Sequence, residues 1–274
     1  MRLLRALSYH PRIVRLVRGL GLQRVLSALY YRLNRPADGI WRLCLHGTSG
    51  AFEVRTAWQL RWLESVQVSA DLDPDLQALM TSVRPGDVVY DIGANMGLFS
   101  IMLGHRVGAA GLVVSFEPQA EVFEHLQTNV RLNALRNVRA FRKALGAVGG
   151  SASVSIAKES VLSRLKTAED STAGPREQVD VVVGDEFVKA EDLPVPRLVK
   201  IDVEGAEYGV IRGLSGTLAH PSCRMVCCEI HPPLLPSGVT QDAVLALLRD
   251  LGFDKMEVRE FGRWAVAVCC REPA

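Results

Sequence analysis

Four short segments of this 274-residue chain put acids, glycines and a histidine where apolar, strand-like runs end. Val88-Val89-Tyr90-Asp91 runs into Ile92-Gly93-Ala94-Asn95-Met96-Gly97, and Ser115-Phe116-Glu117-Pro118 follows. Further on stand Val199-Lys200-Ile201-Asp202-Val203-Glu204 and Cys228-Glu229-Ile230-His231-Pro232. Glycines at the first turn let backbone approach a ligand, and free amides at the start of the helix opening at Leu98 favour an anionic group. Asp91 can accept from an ammonium, directly or through water. Glu117, twenty positions beyond Gly97, suits a carboxylate that accepts from both hydroxyls of a ribose. The same Glu is also an ordinary match to the dipole of a following helix.

The last two segments carry groups for proton transfer. Alternation along a strand would send Lys200, Asp202 and Glu204 to one face, and a charged Lys in a covered strand needs a carboxylate, for which Asp202 is nearest. Glu229 and His231 share an alternation, and a histidine oriented by a carboxylate makes a general base for a hydroxyl. His231 is therefore the expected base, with Asp202, Glu229 and Lys200 around it. The bland alternative is a histidine satisfied structurally at a strand end. No residue is assigned to a metal. A divalent ion on Asp202, Glu204, Glu229 and His231 is the competing and less favoured arrangement.

The turn at 91–97 admits two kinds of ligand. A dinucleotide fingerprint is G-x-G-x-x-G, with pyrophosphate on the helix N-terminus. Here the pattern is D-x-G-x-x-x-G, which leaves a pyrophosphate less room. S-adenosylmethionine, with its amino-acid end, ribose and adenine, is the better match, and a nucleotide cofactor is the alternative.

These segments need a scaffold that brings strand ends together. Apolar runs and helical patterns alternate from residue 87: strands at 87–92, 111–117 and 137–143 with helices at 97–106 and 119–132 between them. Shorter strands at 151–157 and 178–183 flank a polar stretch, 158–178, with the composition of a mobile loop over a site. A strand at 197–203, a helix from about Ala206, a strand at 224–230, a helix at 241–251 and strands near 255–260 and 264–270 complete the chain. The pattern specifies an α/β, Rossmann-like, mainly parallel sheet with helices on both faces. Before it, residues 40–56 read as a β-hairpin turning at 47–50. Asp73-Pro74-Asp75 then opens a short helix ended by Arg84-Pro85-Gly86. Three regions follow: a basic amphipathic helical leader at 1–37, an accessory hairpin and helix at 38–80, and the principal domain at 81–274.

Charge is uneven. The leader holds eight Arg and no acid, so it carries +8 while the rest carries −6. A net charge of +2 argues against a general nucleic-acid binder. Arginine recurs too often in the leader for a membrane span or a secretory signal, so a cytoplasmic location is expected. The leader reads as a solvated helix packed on the body, as a basic helix lying peripherally on anionic lipid, or as a transit peptide. The six cysteines show no metal-site spacing and read as small core residues in a reducing compartment.

Taken together, DIGANMGLFSI (91–101), SFEP (115–118), KALG (143–146), VKIDVEGAE (199–207) and CEIHP (228–232) resemble the FkbM-type methyltransferase family. Five motifs in the family's order make the resemblance specific, and it covers most of the chain beyond residue 80. It implies a class I methyltransferase sheet with an antiparallel last strand, S-adenosylmethionine as donor, and O-methylation of a small-molecule hydroxyl on a sugar or secondary metabolite. By the resemblance, Asp91, Gly93, Ala94, Asn95 and Gly97 hold the donor's amino-acid end. Glu117 would hold its ribose, Ala144 and Leu145 its adenine edge, and Asp202 would close the site. A donor-binding scaffold with a degenerate centre is the alternative from another class. Acceptor identity, oligomeric state and the leader's role lie outside what the family implies.

Overall fold

The computed structural model describes residues 23–69, 73–155, 164–166 and 176–272. Residues 1–22 of the leader and most of the 158–178 stretch lie outside them. The chain enters as α1 (Gln23–Asn34), followed by a hairpin of β1 (Ile40–Leu45) and β2 (Thr48–Glu53). That hairpin turns at His46-Gly47, both with positive φ, rather than at 47–50, because alternation buries Leu43, Leu45 and Phe52 against the body and so sets the register. Two helices follow, α2 (Ala57–Ser69) and α3 (Pro74–Ser82). The Asp73 side chain caps α3 by accepting from the amides of Asp75 and Leu76, as an acid before Pro74 should. The sequence gives no clear start or stop for α2. Its two buried leucines, Leu60 and Leu63, and packing against α1 and β1 stabilise it.

The principal sheet has seven strands. Its order is β12 (Lys255–Glu260), β13 (Ala265–Cys270), β11 (Met225–Ile230), β10 (Leu198–Ile201), β3 (Val88–Ile92), β4 (Leu112–Phe116) and β5 (Val138–Phe141). Strands β11 to β5 in that list run parallel; β13 is antiparallel to β11, and β12, antiparallel to β13, runs in the direction of the others. The central strands are buried on both faces, which is why they read as continuous apolar runs. One face packs Val89, Val113, Leu198 and Cys227 against α4 (Leu98–Val107), α3 and the hairpin. The other packs Tyr90, Ile92, Val199 and Val226 against α7 (Glu207–Gly213), α8 (Ser215–Ala219) and α9 (Gln241–Asp250). Helix α5 (Ala120–Leu132) connects β4 to β5.

A smaller sheet follows β5: β6 (Ala144–Gly146), β9 (Arg176–Val183), β7 (Gly150–Ser155) and β8 (Arg164–Lys166), in that spatial order. Helix α6 (Gly184–Ala190) leads from it back to the main sheet. The expected strand at 137–143 is β5 of the main sheet, ending at Phe141; the chain then enters the smaller sheet as β6, which pairs with β9 and not with β4.

Helix α1 is tied down by its tyrosines. The Tyr30 hydroxyl donates to Glu64, and Tyr31 donates to the Val54 carbonyl at 2.7 Å. Its opposite side leaves Val25, Leu26, Leu29 and Leu33 exposed, with Val25 at 62% and Leu33 at 70%. Among the described residues no helix is long and apolar enough to cross a membrane.

Candidate active site

The carboxyl ends of β3, β4 and β10 surround an open cleft of about 640 Å³. Parallel sheets collect ligands there because loops diverge beyond strand ends. Gly93 and Asn95 form one lip, Glu117 the tip of β4, Ala144 and Leu145 the far wall, and Asp202 and Glu204 the near wall. Asn95 and Glu204 both have left-handed backbone, φ 50° and 53°, a strained conformation that recurs at functional loops.

Glu117 is 4% exposed and accepts from two backbone amides, Asn95 N to Oε2 and Gln119 N to Oε1, each at 3.0 Å. Each carboxylate oxygen keeps a second lone pair for a hydroxyl. Burial pushes this carboxyl up to about 7, against the two amides and Lys200, with Asp91 adding to the rise.

Ala94 and Gly97 do not face the cleft. Ala94 N, with Gly93 N, donates to the Phe116 carbonyl at 3.0 Å, which locks the turn to β4. Gly97 precedes α4 with φ 91°, and a side chain there would meet Leu126 at 2.5 Å. Asp91 is likewise not a cleft residue. Its carboxylate is fully buried, accepts from Ser100 Oγ at 2.6 Å and pairs with Lys200 Nζ at 3.2 Å. Its place on the α4 side of β3, opposite Lys200 in register, turns it under the floor, so direct contact with an ammonium gives way to support of the turn.

Lys200 links floor to rim. Its Nζ donates to the Gly93 carbonyl at 2.9 Å, lies 3.8 Å from Asp202 and sits 5.1 Å from the Phe99 ring centre. Burial opposes its charge, yet Asp91 and Asp202 outweigh burial and hold it protonated. Asp202 follows the end of β10. Burial pushes its carboxyl up to about 6, Lys200 draws it down and Glu229 raises it.

His231 departs from expectation. Its Nδ1 lies 2.7 Å from Glu207 and its Nε2 3.3 Å from Glu229 and 3.8 Å from Glu204. Burial opposes protonation, but the hydrogen bonds to Glu207 and Glu229 and the Glu204 charge prevail and raise the imidazole to about 10. An imidazolium with a carboxylate at each nitrogen has no lone pair with which to take a proton. It also lines neither cleft. The geometry thus withdraws the base role from His231 and makes it a clamp between β11 and α7. Glu207, fully buried in the first turn of α7, anchors this clamp and also accepts from Gly205 N at 2.9 Å. Glu204 leaves the alternation of β10, because the strand ends at Ile201 and the chain turns.

A second cleft, of about 440 Å³, opens on the other side of Asp202. Asp75, Leu76 and Leu79 of α3, Phe99, Glu229 and Val266 line it with Lys200 and Asp202. Asp202 alone of the rim acids borders both clefts. Sequence reading missed the α3 contribution, for which nothing along the chain gives a signal: α3 reaches the site only by packing on the sheet. It also missed Val154 and Lys143, although Lys143 stands beside Ala144 in the KALG motif.

A mainly parallel seven-stranded sheet with an antiparallel strand entering beside β11, a glycine turn after β3 and a carboxylate at the tip of β4 defines a class I S-adenosylmethionine-dependent methyltransferase. A model of the methyltransferase FkbM domain matches residues 91–255, and the chain belongs to that family. It is similar to the hexuronic acid methyltransferase AglP of Haloferax volcanii, 29% identical over 188 residues, 69% of this chain and 72% of the relative. It is also similar to the 31-O-demethyl-FK506 methyltransferase FkbM of Streptomyces tacrolimicus, 30% identical over 202 residues, 62% of this chain and 74% of that one. Membership resolves the choice left open by the turn: the donor is S-adenosylmethionine, not a dinucleotide.

The first cleft fits that donor chemically. Glu117 offers acceptors for a ribose diol, Phe116, Leu145 and Val154 an apolar slot for a base, and Asp202 and Glu204 negative charge for sulfonium and ammonium groups. Only ionised Glu117 can accept from both hydroxyls, and ionisation prevails above about pH 7. We expect affinity for S-adenosylhomocysteine to fall by up to about tenfold per unit as pH drops below that point. The fold responds in the opposite sense: this carboxyl stabilises at low pH, and that contribution is lost as pH rises from the ordinary 4.5 through about 7. Calorimetric titration across pH checks the first expectation; a Glu117→Gln variant with the same profile would show that another group is responsible.

Proposed function

We propose that the enzyme methylates a hydroxyl oxygen of a small molecule, with Asp202 as the base. The observation that carries the reading is the position of Asp202 between the donor cleft and the second cleft. The bound donor supplies a methyl group on a sulfonium, which a nucleophile takes by in-line displacement. An acceptor in the second cleft would present its hydroxyl to Asp202, whose burial raises its basicity. Lys200 positions that carboxylate and restrains the floor through Asp91 and the Gly93 carbonyl. The relatives' names, a hexuronic acid methyltransferase and an O-demethyl-FK506 methyltransferase, support a sugar or secondary-metabolite acceptor.

A specific observation favours a second arrangement. Asp202, Glu229 and His231 each present one ligand atom within 4.8 Å of the others. A divalent cation there would draw Nε2 of His231 as ligand, with Glu207 orienting the ring from Nδ1, and would itself acidify the hydroxyl. One assay tests both. Label transfer from S-adenosylmethionine to a metabolite extract is measured before and after EDTA treatment. Unchanged transfer supports Asp202 as base; loss restored by Mg²⁺ or Mn²⁺ moves the role to a metal; binding of donor without transfer to any metabolite counts against both.

The leader adds a location. Val25, Leu26, Leu29 and Leu33 face outward on α1, within a segment bearing eight arginines and no acid, a composition suited to anionic lipid. Full-length protein should co-sediment with phosphatidylserine vesicles and be released by salt, whereas residues 38–274 should remain in solution. Equal sedimentation of both would reject lipid contact by the leader.

A further inference from the structure

We propose that the acceptor is an uncharged, hydroxyl-rich compound of at least two rings, as in a neutral glycoside. Asp75 and the Phe261–Trp264 pair would select it. The inference rests on the methyltransferase reading above and concerns the second cleft.

The inner part of that cleft is acidic. Asp73, Asp75, Asp202 and Glu229 all line it. Lys200 also lines it, but its ammonium is already engaged by Asp91, Asp202 and the Gly93 carbonyl. Arg259 is held by Asp75 and Glu257. A carboxylate or phosphate on the acceptor would enter a field of its own sign, with no free cation among the described residues that line the cleft. A hydroxyl group, by contrast, donates to such oxygens. Asp75 supplies an acceptor in want of a donor: the residue is 5% exposed, one oxygen accepts from Arg259, and buried Oδ2 has no hydrogen-bond partner. A buried acceptor left unmade costs free energy that a ligand hydroxyl would recover. Phe99, Leu76, Leu79 and Val266 form the apolar wall a ring's C–H face requires.

An aromatic pair stands beyond the lining residues. In the β12–β13 ladder Arg259 lies opposite Val266, so both point to the face that carries Asp75 and the cleft. The ladder continues to the next such pair, Phe261 and Trp264, joined by Phe261 N to the Trp264 carbonyl at 2.8 Å. Alternation sends this pair to the same face, two residues or roughly 7 Å further along. Their rings stack with centroids 5.9 Å apart and planes 14° from parallel, and they are 43% and 40% exposed. A flat apolar pair two residues beyond Val266, on the face that carries a hydroxyl-accepting cleft, suits a second ring bound by its C–H face.

The test uses full-length protein saturated with S-adenosylhomocysteine. Methyl gluco-, galacto- and mannosides, the matching methyl hexuronosides, and cellobiose, lactose and mannobiose are titrated by ligand-observed NMR, with Trp264 fluorescence as a second readout. At least one neutral disaccharide should bind, and each hexuronoside should bind at least about tenfold more weakly than its neutral counterpart. Phe261→Ala and Trp264→Ala should weaken the disaccharide about tenfold and the methyl hexosides less than about twofold. Asp75→Asn should narrow the discrimination against uronosides; unfolding midpoints establish that each variant is folded. Uronosides bound as tightly as neutral sugars, disaccharide binding indifferent to both aromatic substitutions, or no neutral sugar bound would each overturn the proposal. In all three cases retained S-adenosylhomocysteine binding leaves the methyltransferase reading standing, whereas its loss removes that reading too.

Discussion

Replacing Gly93 by alanine should both destabilise the fold and abolish donor binding. Gly93 has φ 78°, and a Cβ there would lie 1.8 Å from the Asp202 carbonyl oxygen and 2.8 Å from its carbon. The obstacle is backbone, so no side chain can swing aside. Relief requires the turn after β3 to part from the segment after β10, the two walls of the donor cleft. The left-handed conformation adds its own cost for a residue with a side chain, and together the expected loss is about 3 kcal/mol or more. Lys200 would lose its bond to the Gly93 carbonyl as the turn moved. Denaturant unfolding and calorimetric titration with S-adenosylhomocysteine measure the two effects. A Gly93→Ala protein of unaltered stability and affinity would mean that these segments do not approach so closely.

Asp202→Asn should leave a folded enzyme that binds donor within a few-fold of normal and transfers methyl about 10²–10⁴ times more slowly. The amide keeps the shape of the side chain and removes its ability to take a proton. Lys200 retains Asp91 as partner, so the floor of the site persists. His231→Asn should act differently, loosening the join of β11 to α7 and lowering stability because buried Glu207 loses its hydrogen bond to the imidazole and keeps only that from Gly205 N. Unfolding midpoints together with single-turnover rates separate the two. A normal single-turnover rate in the Asp202 variant would remove Asp202 from the chemistry.

The contrast between these residues shows where linear pattern carries information. Asp202, Glu229 and His231 were all legible as polar groups at strand ends, because only there can a parallel sheet expose them. Which one can move a proton was not legible. His231 looked poised for neutral pH, but Glu207, twenty-four positions away, lies against its Nδ1 and turns it into a cation. The same holds for Asp91, which sits at the expected strand end yet faces Ser100 and Lys200, since pairing of β3 with β10 puts Lys200 directly beside it. Glu117, Gly93, Asn95, Ala144 and Leu145 all line the first cleft because their positions depend on local turns next to the strands that carry them.

The parallel order of sheet and helices, the donor turn and the methyltransferase family follow from the sequence, since periodicity and five short motifs are local properties of the chain. Tertiary structure decided the rest. It carried α3 to the second cleft and set a carboxylate at each nitrogen of His231. Each depends on charges and surfaces from distant segments meeting in space, and a carboxylate's or imidazole's protonation is set by those neighbours rather than by its place in the chain.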